Sequence, residues 1–198
     1  MDKIKLLLFL ILITSGVVKA EERYTVDRDR SLLATTFTFK NENSDLELIN
    51  KKTFQLALKY ENYDSHGNYL GEAVSPFFSL GTVYAWKIEV TLFDEIGLTA
   101  GSIQGETTFF LEDKKFMFYD RYENLVAIGY YNKKAQRFDL IDPCDSSRVL
   151  ATTTRKFSFK SGESWQVANY YPETLSPFML KFFVAFVFDR QNQFLIGL

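Results

Sequence analysis

Few side chains in this chain are suited to covalent chemistry. Its 198 residues include one histidine, His66, and one cysteine, Cys144. His66 lies in Asp64-Ser65-His66-Gly67-Asn68, a run of turn formers, and reads as an exposed turn residue. Any Ser-His-Asp triad would need it, and no G-x-S-x-G nucleophile elbow occurs. Cys144 stands in Asp142-Pro143-Cys144-Asp145, between acids, the wrong surroundings for a reactive thiolate. One His and one Cys cannot make a tetrahedral zinc site. Asp142–Asp145 and Asp27-Arg28-Asp29 lack the ligand spacing of a calcium loop. No glycine-rich loop precedes a helix to hold phosphate. The expectation is no catalytic residue, metal or cofactor. A carboxylate-based hydrolase is the lesser alternative, because paired acids meet only in three dimensions.

The residues that suit binding are basic: Lys51-Lys52, Lys114-Lys115, Lys133-Lys134 with Arg137, and Arg155-Lys156. They have two readings. Solvated lysines at hairpin turns protect sheet edges. Alternatively, two such turns converge into a site for an anionic headgroup. The candidate ligand-binding residues are Lys114, Lys115, Lys133, Lys134, Arg137, Arg155 and Lys156.

Net charge limits the partners. The formal charge is −2. Asp2-Lys3-Ile4-Lys5, the apolar run Leu6–Thr14 and Val18-Lys19-Ala20 form the three parts of a secretory signal, with cleavage expected after Ala20. The apolar run is too short for a membrane anchor, which needs about 18 residues. Cleavage removes three lysines and one aspartate, leaving 20 basic and 24 acidic residues and a charge of −4. That argues against non-specific nucleic-acid binding and gives no global attraction to a membrane. A single cysteine excludes an internal disulfide, although the exported compartment would permit one.

The positioning elements read as β-strands. Phe37 and Phe39 alternate with Thr36, Thr38 and Lys40, and Phe54, Leu56 and Leu58 alternate with Gln55, Ala57 and Lys59. Trp86, Ile88, Val90 and Leu92 share one face, as do Trp165, Val167 and Asn169. A strand-end residue, an Asp and a few turn residues recur at Asp64, Asp94, Asp120 and, more loosely, Asp142. An Asp there accepts bonds from backbone amides two residues on, and Gly or Asn takes positive φ. Repeated hairpins of this kind make an antiparallel meander. The count is roughly eleven or twelve strands at about 8–12-residue spacing. Residues 21–30, charged and poor in large apolar side chains, read as an exposed lead-in to one domain spanning 31–198.

One helix interrupts the strands. Ser176 caps it, Pro177 suits its first position, and Phe178–Phe188 is apolar nearly all round. That run spans roughly 16 Å, about half of a bilayer core of ~30 Å, so it does not cross a membrane. A helix apolar on every face must be surrounded. The structural core helix is assigned to Phe178, Leu180, Phe182, Phe183, Phe186 and Val187, with a turn at Gln191-Asn192 and a last strand over Phe194–Leu198. The fold class is mainly β: a closed antiparallel barrel around one central C-terminal helix, which also removes sheet edges.

The order of these elements resembles the tubby C-terminal-like superfamily, which includes the tubby domain, the LURP-one-related proteins and the phospholipid scramblases. Lys115–Ile128 followed by Phe138–Pro143 is similar to the strand–Asp–turn–strand pairs of LURP-one-related proteins, and Leu180–Asp189 to their central helix. The resemblance covers roughly residues 31–198 and implies about 12 strands around the helix and a non-enzymatic module. The tubby domain binds phosphoinositide headgroups through paired basic strand residues, and those positions are not matched one by one here. The expected function is an exported, secreted or periplasmic binding module, for a phospholipid headgroup or membrane surface, acting through its outer face. A protein-interaction or scaffold role with no small ligand is the alternative. No oligomeric state is implied.

Overall fold

Period-two alternation places every second strand residue on one face, and closing the sheet turns that face into an interior. A computed structural model of the chain describes residues 21–43, 46–52, 58–75, 87–106, 115–158 and 162–195. The expected signal segment, Lys114, Trp86 and the pair Phe54 and Leu56 lie outside the described residues.

Twelve strands form a closed barrel: β1 (Glu22–Arg30), β2 (Ala34–Asn41), β3 (Leu46–Lys52), β4 (Leu58–Asp64), β5 (Tyr69–Ser75), β6 (Lys87–Asp94), β7 (Thr99–Glu106), β8 (Lys115–Asp120), β9 (Leu125–Asn132), β10 (Arg137–Ile141), β11 (Val149–Ser158) and β12 (Gly162–Asn169). Each strand pairs antiparallel with its sequence neighbours, and β1 pairs with β12 to close the ring. One helix, α1 (Pro177–Leu195), follows.

The helix is the axle. Met179 to Phe188 are all buried. Phe183 packs edge-on against Phe118 at 4.9 Å, Phe116 at 5.1 Å and Phe138 at 5.3 Å. Phe188 meets Phe37 at 5.9 Å and Trp165 at 6.1 Å. These partners come from β2, β8, β10 and β12, so the wall surrounds the helix. Edge-to-face rings each add about 0.5–1.5 kcal/mol beyond their area burial. Leu180, Phe182, Phe183, Phe186 and Val187 are core as expected, and Phe178 is half-buried at the mouth.

Three hairpins are copies of one turn. In each, the Asp Oδ1 accepts backbone amides two and four residues on: His66 and Asn68 for Asp64, Ile96 and Leu98 for Asp94, Tyr122 and Asn124 for Asp120. The fourth residue takes positive φ: Gly67 at 82°, Gly97 at 80° and Glu123 at 63°. A register shift follows in each hairpin. The bulge places Gly71 and Gly101 where a Cβ would lie 2.4 Å from a neighbouring carbonyl oxygen, against Phe178 and Met179 respectively. The turns thus make room for the helix to enter. The looser turn is different: Asp142 Oδ1 accepts from the Cys144 amide, and its Oδ2 from the Arg148 guanidinium at 3.0 Å.

Three expectations are corrected. Residues 22–30 are the closing strand, not an exposed lead-in, and Val26 is fully buried. Its inward position 28 is an arginine whose charge is compensated inside, so the apolar alternation is broken in the sequence. The helix does not stop at a turn over Gln191-Asn192 but runs to Leu195, so no strand begins at Phe194. Asp189 looks like a helix-ending polar residue, but its carboxylate accepts bonds from Lys51 and Tyr60 and stays packed against the barrel wall. Finally, the strand that the alternation of Phe54, Leu56 and Leu58 predicts is described only from Leu58 and runs on to Asp64.

Candidate functional site

An antiparallel meander sends alternate hairpins to opposite ends of the barrel. The β2–β3, β4–β5, β6–β7, β8–β9 and β10–β11 turns lie at one end, with the connection from β12 to the helix. This is the aspartate end, carrying Asp64, Asp94, Asp120, Asp142 and Asp145. The β1–β2 and β9–β10 turns lie at the other, with the last residues of β3, β5, β7 and β11, where the helix leaves. Of the basic residues named from the sequence, Lys51, Lys52, Lys115, Lys133, Lys134, Arg137, Arg155 and Lys156 belong to strand ends or turns on this second side. Acids thus surround the helix N-terminus and bases its C-terminal side, which complements the helix dipole. The helix itself has no acid in its first turn and no base in its last.

Two basic hairpins touch. The Arg155 amide donates to the Gln136 carbonyl at 3.1 Å, placing the Lys133–Gln136 turn beside Arg155-Lys156. Arg137 faces Thr154 across β10 and β11, and Lys115 faces Tyr130 on β9. The structure therefore brings Lys115, Lys133, Lys134, Arg137, Arg155 and Lys156 to one end, over four adjacent strands. Two of them are already engaged. Arg155 shares Glu163 with Arg28 inside the rim, and Arg137 is ion-paired to Asp139 at 2.8 Å. Among the described residues, Lys115, Lys134, Lys156 and the neighbouring Arg30 form no ion pair.

The interior of this end is polar and compensated. Arg28 donates from Nη1 to the Phe188 carbonyl at 2.6 Å and lies over the Phe188 ring. Burial, then the nearby Arg30, lowers the Arg28 pKa below its ordinary value. Lys51 contacts Asp189 at 2.6 Å. Pattern reading gave Arg28, Lys51 and Asp189 no interior role, because a charge at an inward position hides the period that would reveal it.

The remaining candidates lie elsewhere on the barrel. His66 is an exposed turn residue, as expected, and Cys144 is exposed. No group of three or more His, Cys, Asp or Glu that could hold a metal occurs among the described residues. An open depression at the aspartate end is lined by Leu70, Asp94, Ile96, Asp120, Tyr122 and Phe178. Asp94 and Asp120 use Oδ1 in their own turns there. No helix among the described residues is long and apolar enough to cross a membrane. On the outer wall, Lys59 pairs with Glu72 at 2.6 Å and Glu61 at 3.1 Å. A charged ladder in that position is unlike the apolar band of a lipid-facing barrel.

No protein-family model, curated protein or solved structure matches this chain.

Proposed function

We propose that this protein is a non-enzymatic binding module, exported by its N-terminal segment, that docks on anionic phospholipid headgroups through the basic end of its barrel. The contact between Arg155 and Gln136 carries the reading, because it joins two basic hairpins into one surface on a chain of negative net charge. Segregation of charge to the two ends orients such a molecule in an anionic field. The tubby-like resemblance supports the same reading, since the barrel around a terminal helix is the arrangement it implies. An interior packed with Phe side chains leaves binding to the outside.

Co-sedimentation of the purified protein with phosphatidylglycerol-containing vesicles tests this. Binding should be strong at low salt and weak at high salt. Each lysine near an anionic surface contributes about 1 kcal/mol, so the double variant Lys134→Glu/Lys156→Glu should bind at least about thirtyfold more weakly. Absence of salt-sensitive binding to anionic vesicles would reject the reading.

A further inference from the structure

Large apolar side chains are exposed at the basic end: Leu32, 85% exposed, and Leu33, 68% exposed, at the β1–β2 tip, and Phe157, 67% exposed, near the end of β11. Exposed apolar side chains also stand at the aspartate end, Ile96, Leu98 and Tyr122, but those are set among acids and these among bases. Leu32 and Leu33 form the tip of the β1–β2 turn. Ser31 closes that turn without them: its amide donates to the Ala34 carbonyl at 2.8 Å, and its Oγ accepts from the Ala34 amide at 3.1 Å. The two leucines therefore add nothing visible to the stability of the turn. Phe157 lies near the end of β11. Only β12 separates β11 from β1; Phe157 pairs with Glu163, and Asp27 with Ser164, so Phe157 lies near the level of Asp27, set back from the tip. Arg30 precedes the tip and Lys156 precedes Phe157, both exposed.

We infer that the barrel inserts this end into the membrane interface, with Leu32, Leu33 and Phe157 entering the boundary between headgroups and acyl chains while Arg30, Lys134 and Lys156 hold the phosphates. The inference rests on the headgroup reading above and adds an orientation: the helix axis stands toward the bilayer and the aspartate end faces away. Apolar anchors within a basic rim are the pattern of interfacial binding, where buried apolar area and attraction to anionic lipid act together. Charge complementarity selects an anionic bilayer as the occupant. The acids of the aspartate end would be repelled by the same surface.

The protein supplies its own control, because its one cysteine, Cys144, is exposed at the aspartate end. An environment-sensitive fluorophore is attached to Leu33→Cys in a Cys144→Ser background, and separately to native Cys144. With phosphatidylcholine–phosphatidylglycerol vesicles, the Leu33→Cys label should shift to the blue and be quenched by lipids carrying a shallow acyl-chain nitroxide. The Cys144 label should not respond. The triple variant Leu32→Ser/Leu33→Ser/Phe157→Ser changes only exposed positions and should weaken vesicle binding about tenfold or more. If vesicles bind in a salt-sensitive way but the Leu33→Cys label stays aqueous, or the triple variant binds equally well, insertion is wrong and the headgroup reading stands. A blue shift that appears without vesicles as protein concentration rises assigns the patch to a second copy and also overturns insertion. If no vesicles bind at all, the headgroup reading falls and insertion with it.

Discussion

Lys181, on the helix, is ion-paired inside the barrel to Glu47 of β3. Its ammonium also lies 4.7 Å from the centre of the Tyr24 ring, and Asn62 donates to the other Glu47 oxygen at 3.2 Å. Lys181 is only 7% exposed. Lysine in an apolar helix thus has a specific partner on the wall and sets the rotation of the axle. Removing one member of a buried pair strands the other charge, which costs about 3–5 kcal/mol when both are fully enclosed. Glu47 is partly solvated, so Lys181→Ala should lower stability by about 2–3 kcal/mol in urea unfolding. The double variant Lys181→Met/Glu47→Leu should recover most of that loss. A double variant as unstable as the single one would show that the pair is not the cause.

Glu123 occupies, at a φ of 63°, the turn position that Gly67 and Gly97 hold in the two sister hairpins. A side chain in the left-handed region costs roughly 1 kcal/mol or more. Glu123→Gly should therefore stabilise by up to about 1 kcal/mol, partly offset by the greater unfolded-state freedom of glycine. Gly97→Ala should destabilise by about the same amount. Thermal unfolding of the two variants gives the signs.

Gly71 and Gly101 differ from the turn glycines in kind. A Cβ at Gly71 would lie 2.4 Å from the Phe93 carbonyl oxygen and 2.7 Å from the Phe178 ring. One of the two contacts is backbone and cannot move aside. Gly71→Ala should cost more than about 3 kcal/mol, at the upper end of single substitutions. A melting temperature close to that of the parent would mean that the helix mouth is looser than its packing indicates.

Thr153 is fully buried, and its hydroxyl has no hydrogen-bond partner among the described residues. Replacing an unsatisfied buried hydroxyl by a methyl group of similar shape removes a desolvation penalty of about 1–3 kcal/mol. Thr153→Val should raise stability by about 1 kcal/mol. Equilibrium denaturation with an unchanged slope would establish this, and a loss of stability would point to a role for the hydroxyl.

Acid should loosen the aspartate end first. The side chain of Asn68 holds the Asp64 carboxyl below its usual pKa, that of Asn124 does so for Asp120, and that of Ser147 for Asp145, with backbone amides adding to each. A folded-state pKa below the unfolded value means that the native state binds fewer protons, so stability rises with pH across that interval. The contribution is complete above the unfolded value of about 3.9 and is lost as pH falls through the lower folded values. The melting temperature should therefore drop below about pH 4. Asp64→Asn/Asp120→Asn should melt lower than the parent at neutral pH and lose less on acidification. Parallel curves for the two proteins would remove these carboxylates from the account.

The amino-acid sequence by itself determined the barrel and its axle. Period-two alternation, recurring Asp turns and a helix apolar on every face are local patterns, and only a closed sheet around that helix buries them all. It also determined that His66 and Cys144 stand in turns. It misread β1, because Arg28 interrupts the alternation, and it ended the helix early, because Asp189 resembles a stop. Both errors have one physical source: a charge can occupy an inward position when its partner comes from a distant strand, as Glu163 does for Arg28 and Lys51 for Asp189. Such partners are invisible along the chain. Only the tertiary structure decided that the described basic residues share one end, that Arg155 and Arg137 are engaged while Lys134 and Lys156 form no ion pair among the described residues, and that Leu32 and Leu33 stand exposed at the β1–β2 tip. Strand order and register set those distances, and they arise only when the sheet closes.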